Sequence, residues 1–410
     1  MLTNKKVTIY VTGGIAVYKA ADLVRKFIKA GAEVKVAMTA SAQEFVTPLT
    51  FQVLSKHDVY TDTFDEKDAQ FVSHIHLADW TELAVVAPAT ANIIAKMTNG
   101  IADDFVSTAL LATTAPRLIV PAMNQHMLEN PATVRNMEAL KSYGYEIMEP
   151  DTGFLAEGYE GKGRMPEPDK IVEAAQLVVL NNAKELPLKG KKVLITAGGT
   201  KERIDPVRFI TNDSSGKMGY SLAKAARDLG AEVTLVTATN LLPIPYGVEL
   251  ISVQSSEEMA TAVLDKFHNL DMVIMAAAVS DYRPKAQASV KIKKTNEDLT
   301  LVLEKTTDIL AELGKRKTGQ FLIGFAAETH EVEHYALDKL KRKNADMIVA
   351  NDVSKEYAGF NKDTNEVIIY QADKEPIQIS VRSKDLIAEE ILYAAIDSMH
   401  DDVDAVFGRT

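Results

Sequence analysis

Apolar and polar positions along the chain follow two alternating periods. Residues 6–12 (KVTIYVT) form a short apolar run that reads as a buried strand, and Gly13-Gly14 follow it as a tight turn. Ala20, Leu23, Val24, Phe27 and Ile28 then recur at i, i+3, i+4, i+7 and i+8, the stripe of an amphipathic helix. Gly31 ends that helix, and Val34, Val36 and Met38 alternate as a second strand. Strand, glycine turn, helix, strand is a βαβ unit, which places helices over a parallel sheet. LAVVA (83–87) and RLIV (117–120) predict two further central strands. Their continuations are Pro88-Ala89-Thr90 and Pro121-Ala122-Met123-Asn124. Parallel sheets bind ligands at the carboxyl ends of their strands.

The pattern then restarts. VLITA (193–197) is followed by Gly198-Gly199-Thr200, a long loop, and a helix expected from about Gly219. KAGAEVKVAMT (29–39) and RDLGAEVTLVTAT (227–239) both read as glycine-ended helices feeding a strand. The polar stretch 179–190, with Pro187 and Gly190, is the best boundary. The expectation is two doubly wound, Rossmann-like α/β domains, 1–188 and 189–410, with a short acidic tail after about Ser398.

Composition narrows the possible functions. A length of 410 residues suits two or three domains at about 150 each. Lys and Arg total 46 against 57 Asp and Glu, a net charge of −11, so the chain lacks the basic footprint of a nucleic-acid binder. With 46% hydrophobic and 25% charged residues it has ample material for packed cores. The absence of cysteine excludes disulfides, thiolate metal sites, iron–sulfur clusters and a cysteine nucleophile. No apolar run reaches the ~18 residues of a membrane span, and Met1 to Lys6 have no signal-like character. A cytoplasmic protein without a membrane partner is expected.

Several residues in the first half are candidates for chemistry. The turn Gly13-Gly14-Ile15-Ala16 opens a helix whose amides favour an anion, although any βαβ unit can carry glycines there, and no GxGxxG is present. Thr39 and Ser41 add hydroxyls at the same sheet edge, where a helix cap is an equally good role. His74 and His76 share a face if their segment is extended; they suit a metal, a buried structural role, or acid–base work. Asn124 presents an amide at a strand end, a ligand group and also a common turn residue. The segment 153–168 (GFLAEGYEGKGRMPEP) has four glycines beside Lys162 and Arg164, suited to surface loop or to a lid over an anionic substrate.

Together these residues resemble the homo-oligomeric flavin-containing cysteine decarboxylases. The shared motifs are GGIA (13–16), SHIHLA (73–78), APATAN (87–92), PAMN (121–124) and GKGRM (161–165), in family order. The resemblance implies a flavodoxin-like first domain with FMN near Gly14, Ile15, Thr39, Pro88, Ala89, Thr90 and Met123. It also implies His74 as acid–base group, Asn124 on the substrate carboxylate, and a lid carrying Gly163, Arg164 and Met165. The flavin would oxidise the thiol-bearing carbon to ease loss of carbon dioxide, then return the electrons. One position departs from the family: Glu157 stands where its lid usually has a cysteine. Glu157 either acts as a proton donor, which requires burial to raise its pKa, or only packs in the lid.

In the second half, SSGKMG (214–219) lacks the earlier glycine and the Ser/Thr of a phosphate-binding NTPase loop. Asp281, in AAAVSDYRP (276–284), suits a metal or a ribose. KIKK (291–294) reads as a solvated strand face or, at Lys291, as a phosphate ligand. Lys339 and Lys343 stand at i, i+4, a solvated face unless an anion is shared. As a set, DPVRFITNDSSGKMG (205–219), AAAVSDYRP, KIKK, GFAAET (324–329) and KRKNADMIVANDV (341–353) resemble the phosphopantothenate–cysteine ligase domain. Fused in this order, the two halves resemble the bacterial bifunctional enzymes of coenzyme A biosynthesis.

That resemblance implies CTP, 4′-phosphopantothenate and cysteine as substrates, with Mg²⁺. CTP contacts fall on Met275, Ala276, Ala277, Asp281, Lys291, Asp308, Ile309, Leu310, Phe325, Lys339 and Lys343. Thr307 stands where the family often has proline. Asn212 would hold an acyl-cytidylate, Mg²⁺ would arrive with the CTP phosphates and possible help from Asp281, and Asp205 would serve metal or loop. The analogy further implies decarboxylase trimers joined through ligase dimers, up to a dodecamer. Two other readings are a flavin decarboxylase of peptidyl cysteines and a non-catalytic flavin- and nucleotide-binding regulator. The ligase half opposes the first; retention of His74 and Asn124 opposes the second.

Overall fold

The computed structural model describes residues 2–66, 70–182, 185–294, 298–328, 331–352 and 362–407. Ala183 and Lys184 of the expected boundary, Thr329 of GFAAET and Val353 of the last ligase motif lie outside them. The chain forms two compact units, Met1–Lys184 and Glu185–Thr410.

The first unit runs β1 (Lys6–Val11), α1 (Val17–Lys29), β2 (Glu33–Met38), α2 (Ala40–Gln43), α3 (Pro48–Ser55), β3 (Val59–Tyr60), α4 (Ser73–Trp80), β4 (Leu83–Ala89), α5 (Ala91–Asn99), α6 (Phe105–Ala112), β5 (Arg117–Pro121), α7 (Gln125–Leu128), α8 (Pro131–Ser142) and β6 (Glu146–Ile147). A hairpin of β7 (Asp151–Phe154) and β8 (Glu160–Arg164) precedes α9 (Pro168–Asn181). The sheet order is β3-β2-β1-β4-β5-β6, with every pairing parallel. Every residue of β4 is buried, as its unbroken apolar run requires of a strand covered on both faces. In α1, Val17, Ala20, Leu23, Val24 and Phe27 are buried against this sheet, each worth roughly 1–3 kcal/mol by transfer. Ile28, expected on the same stripe, sits at its edge and is exposed.

The second unit repeats the scheme. It runs β9 (Lys192–Ala197), a hairpin of β10 (Lys201–Arg203) and β11 (Phe209–Thr211), α10 (Lys217–Asp228), β12 (Glu232–Thr237), β13 (Glu249–Ser252), α11 (Ser256–Lys266) and β14 (Met272–Met275). A second hairpin, β15 (Tyr282–Pro284) with β16 (Leu303–Lys305), leads to α12 (Ile309–Arg316), β17 (Phe321–Glu328), α13 (Val332–Arg342), β18 (Met347–Asp352), β19 (Thr364–Gln371), β20 (Ile377–Ser383) and α14 (Lys384–Phe407). The sheet order is β13-β12-β9-β14-β17-β18-β19-β20, antiparallel only at its last two pairings. One core lies under α10 and α14, the other under α11, α12 and α13.

Three local expectations change. The helix expected from about Gly219 begins at Lys217, capped by Gly216 at φ +80°. KIKK belongs to no strand, so its strand-face reading fails. The acidic stretch after Ser398 continues α14 to Phe407. Among the described residues no helix is long and apolar enough to cross a membrane.

Candidate active sites

In both units the chain reverses direction across the sheet between its first and fourth strands, the place where doubly wound sheets open a crevice. In the first unit a network of hydroxyls ties these two strand ends together. The Thr12 hydroxyl donates to the Pro88 carbonyl oxygen (2.7 Å), and the Thr90 N–H donates to Thr12 Oγ1 (3.1 Å). The Ala87–Pro88 peptide is cis. Gly13 touches the next loop so closely that a Cβ there would lie 2.3 Å from Ser41 Cβ, whereas Gly14 faces only Thr90 at 3.8 Å. No side chain caps α1, which leaves its positive end available to an anion. Ile15, at that end, is exposed.

Three expected ligand residues also cap helices. Thr39 Oγ1 accepts from the Ala42 N–H (3.2 Å), Thr90 Oγ1 from Ile93 (3.4 Å), and Asn124 Oδ1 from His126 (2.8 Å). Asn124 Nδ2 donates to the Tyr159 hydroxyl at 2.6 Å, a lid contact that motif reading missed although Tyr159 lies inside the glycine-rich segment. The segment expected to form a lid is the β7–β8 hairpin. Its base is fixed at β5 by the Met123 N–H, which donates to the Gly163 carbonyl oxygen (3.0 Å). Met165 is buried, and its carbonyl oxygen accepts from Lys19 Nζ at 2.9 Å; Arg164 is half-buried beside Gly153. Glu157 is exposed at the hairpin turn, so it lacks the burial that a proton-donating role needs.

His74 and His76 do not share a face. They lie on α4, where a two-residue step turns the side chains nearly opposite. His76 is exposed and stacks on Phe71 (4.8 Å), while His74 is half-buried with its ring edge-on to Phe105 (6.5 Å). His74 Nδ1 is buried and has no hydrogen-bond partner. A buried ring nitrogen left unmatched carries a desolvation cost of roughly 1–3 kcal/mol that a bound molecule can relieve. The residues thus fit a flavin and an anionic substrate: an uncapped helix end, a crevice between strand ends, and an unmatched imidazole.

In the second unit a cavity of about 550 Å³ is lined by Met275, Ala277, Asp281, Asp308, Ile309, Leu310, Phe325, Lys339 and Lys343 among others. A second, of about 460 Å³, holds Asn212 and Ala276. The two share Ala277, Val279, Asp281, Phe325 and Lys339. Asn212 Nδ2 donates to the Ala278 carbonyl oxygen (3.2 Å), and the Ala277 N–H to Thr196 Oγ1 (3.1 Å). Asp308 caps α12 through the Ala311 N–H (3.0 Å) and pairs with Lys343. Burial raises the Asp308 pKa, but Lys343 and the Ala311 N–H outweigh it and hold the carboxyl below its ordinary range. Lys343 is 5% exposed, and Lys339 Nζ donates to the Phe325 carbonyl oxygen (2.8 Å), so this pair is not a solvated face.

Lys291 lines neither cavity and is exposed. Its neighbour Ile292 is clamped: the N–H donates to Asp205 (3.2 Å), and the carbonyl oxygen accepts from Arg208 (3.1 Å). Asp205, completely buried, also accepts from the Val207 and Arg208 amides and the Arg208 guanidinium. Burial pushes its pKa up, but these donors win and bring it down to about 2. Its role is to hold loops. Among the described residues no group of three or more His, Cys, Asp or Glu is placed to hold a metal.

The family description "Flavoprotein" matches residues 1–179, and "DNA/pantothenate metabolism flavoprotein C-terminal domain" matches 188–399. The Coenzyme A biosynthesis bifunctional protein CoaBC of Bacillus subtilis (strain 168) is 53% identical over 96% of this chain and 97% of its own length. The chain belongs to this bifunctional coenzyme A family. The CoaBC protein of Escherichia coli (strain K12) is 42% identical over 95% of the chain and 96% of its own. A crystal structure of a CoaBC C-terminal domain shares 46% identity, covering 53% of this chain and all of that one, with a TM-score of 0.46. As a CoaBC family member, the chain is a bifunctional enzyme of coenzyme A biosynthesis, with a flavoprotein decarboxylase half followed by a ligase half.

Proposed function

We propose that the second unit joins cysteine to 4′-phosphopantothenate at the expense of CTP, and that the first decarboxylates the product to 4′-phosphopantetheine with FMN. The ligase reading is carried by the two cavities that share the wall of Ala277 and Phe325. CTP occupies the cavity bearing Asp308, Lys339 and Lys343, and the acyl substrate the cavity bearing Asn212. The carboxylate attacks the α-phosphorus across the shared wall, pyrophosphate leaves, and the cysteine amine then displaces CMP to form the amide. Lys339 and Lys343 offset phosphate charge; Mg²⁺ would arrive with the nucleotide and supply further charge neutralisation, with Asp281 the carboxylate that would help to hold it. Lys291, exposed on the loop that Asp205 and Arg208 hold, is the further phosphate ligand in this reading.

In the first unit, Gly14, Ile15, Thr39, Pro88, Ala89, Thr90 and Met123 hold FMN at the strand ends. FMN supplies the electron sink for loss of carbon dioxide. Asn124 orients the substrate carboxylate, and the unmatched His74 Nδ1 takes and returns the proton. Gly163, Arg164 and Met165 form the lid base, and Glu157 is the lid acid once the hairpin tip covers substrate. The reading includes a homo-oligomer, for which exposed Leu49 and Val53, one turn apart on α3, offer apolar surface. With these substrates the enzyme works in the cytoplasm.

Mass spectrometry of purified protein with FMN, phosphopantothenate, cysteine, CTP and Mg²⁺ tests both halves. Phosphopantetheine is the expected product. Accumulation of phosphopantothenoylcysteine would remove the decarboxylase half of the reading, and no CMP release would remove the ligase half.

A further inference from the structure

Tyr159 stands where the turn of the β7–β8 hairpin closes, and the steps above give its hydroxyl no part. Gly158, at φ +91°, makes the turn. The Gly158 N–H donates to the Leu155 carbonyl oxygen (3.0 Å), and the Leu155 N–H to the Tyr159 carbonyl oxygen (2.8 Å). Leu155 is buried, which anchors the turn from inside. Two ties then set β8 against the start of α7: the Met123 N–H donates to the Gly163 carbonyl oxygen, and the Lys162 N–H to Gln125 Oε1 (3.3 Å). Asn124 lies between these two anchors, and it is the residue that Tyr159 meets.

The protons at this contact can be counted. Asn124 Oδ1 accepts from the His126 N–H at 2.8 Å, which fixes the amide oxygen towards α7 and presents Nδ2 to the Tyr159 hydroxyl at 2.6 Å. In that bond the amide donates and the phenol oxygen accepts. Two protons are left over, the second N–H of Asn124 and the O–H of Tyr159. Among the described residues neither has an acceptor, and Tyr159 is 38% exposed, open to a ligand. Two neighbouring donors without an acceptor complement the two oxygens of one carboxylate.

We propose that the Tyr159 hydroxyl is the second donor to the substrate carboxylate, completing with the Asn124 amide a two-point seat that selects an acid over its counterpart lacking the carboxylate. The inference rests on the reading of Asn124 as the carboxylate ligand. The seat acts on the ground state. As carbon dioxide leaves, the negative charge passes from the carboxylate to the rest of the molecule, and the two donors lose their partner. Removing the hydroxyl therefore raises KM and leaves kcat.

Calorimetry on the full-length, FMN-loaded protein tests this with 4′-phosphopantothenoylserine, in which a hydroxyl replaces the thiol so that no turnover intervenes, and with the same molecule lacking its carboxylate. Tyr159→Phe keeps the ring and removes only the hydroxyl; the flavin absorbance and CMP release report that the variant is folded and loaded. It is expected to bind the acid roughly 10- to 100-fold more weakly, the loss for one hydrogen bond to a charged group, with affinity for the neutral counterpart unchanged. The KM for phosphopantothenoylcysteine should rise by a similar factor at constant kcat. A preference for the acid within twofold of wild type, equal losses for both ligands, or a fall in kcat at constant KM would overturn the role of Tyr159 and leave Asn124 as it stands. A wild-type protein that binds the two ligands equally would overturn the Asn124 reading and the seat with it.

Discussion

Gly163 and Met123 approach so closely that a β-carbon on Gly163 would stand 2.0 Å from the Met123 carbonyl oxygen, while the Met123 N–H donates to the Gly163 carbonyl oxygen at 3.0 Å. With φ at +149°, the lid base also has a backbone conformation that side chains disfavour. Gly163→Ala must therefore push β8 away from the end of β5. Decarboxylation is expected to fall about 100-fold, the scale of an ångström of misplacement at a reacting centre, with CMP release by the other unit unchanged. Coupled assays of carbon dioxide and CMP check this, and equal rates in the variant would show that the lid base is not needed for positioning.

His74→Gln removes the ring whose Nδ1 is buried without a partner. Decarboxylation is expected to fall by a factor of roughly 10² to 10⁴, with phosphopantothenoylcysteine accumulating. His76→Gln, altering the exposed ring on Phe71, should leave the rate within twofold. Similar behaviour of the two variants would remove the distinction drawn between these histidines.

Lys343→Met takes away the buried cationic partner of Asp308 and leaves that carboxylate with the Ala311 N–H at the proposed nucleotide cavity. We expect kcat/KM for CTP to drop roughly 100-fold, with phosphopantothenate affinity retained. Competition binding with each ligand separates the two effects, and loss of both would mean that the α12 cap itself had collapsed.

Acid stability of the second unit depends on Asp205. Its folded pKa of about 2 lies below the ordinary carboxylate value near 3.9, so its stabilisation is fully present above about pH 4 and is lost as pH falls from there through 2. Asp205→Asn is expected to melt at a lower temperature than wild type at pH 7, with the gap closing below pH 4. Calorimetric melts between pH 7 and pH 3 measure this; a gap independent of pH would assign the effect to packing alone.

Much of the fold was legible in the residues because its strands are apolar runs punctuated by glycine. LAVVA could only be a strand covered on both faces, and β4 is buried throughout. The order of strands was not legible, since periodicity says how a segment folds and nothing about its neighbours. The histidine pair misled for a related reason: a two-residue step shares a face in a strand and opposes faces in a helix, and α4 is too short to declare its period. Lys384 and Asn365 line the Asn212 cavity only because β19, β20 and α14 return to the sheet, which no local motif displays. KIKK, expected as a solvated strand face or as a phosphate ligand at Lys291, is a loop, held at the Ile292 backbone by Asp205 and Arg208.

The shared wall of Ala277, Val279 and Phe325 has a consequence for economy of handling. A mixed acyl–phosphate anhydride is a reactive species that water destroys. On the proposed reading it would form where its two precursors meet, so it would need no journey between making and use. Leakage of the activated acid into solvent should then be slow compared with capture by an amine, and CTP consumed without cysteine should stop near one equivalent per site.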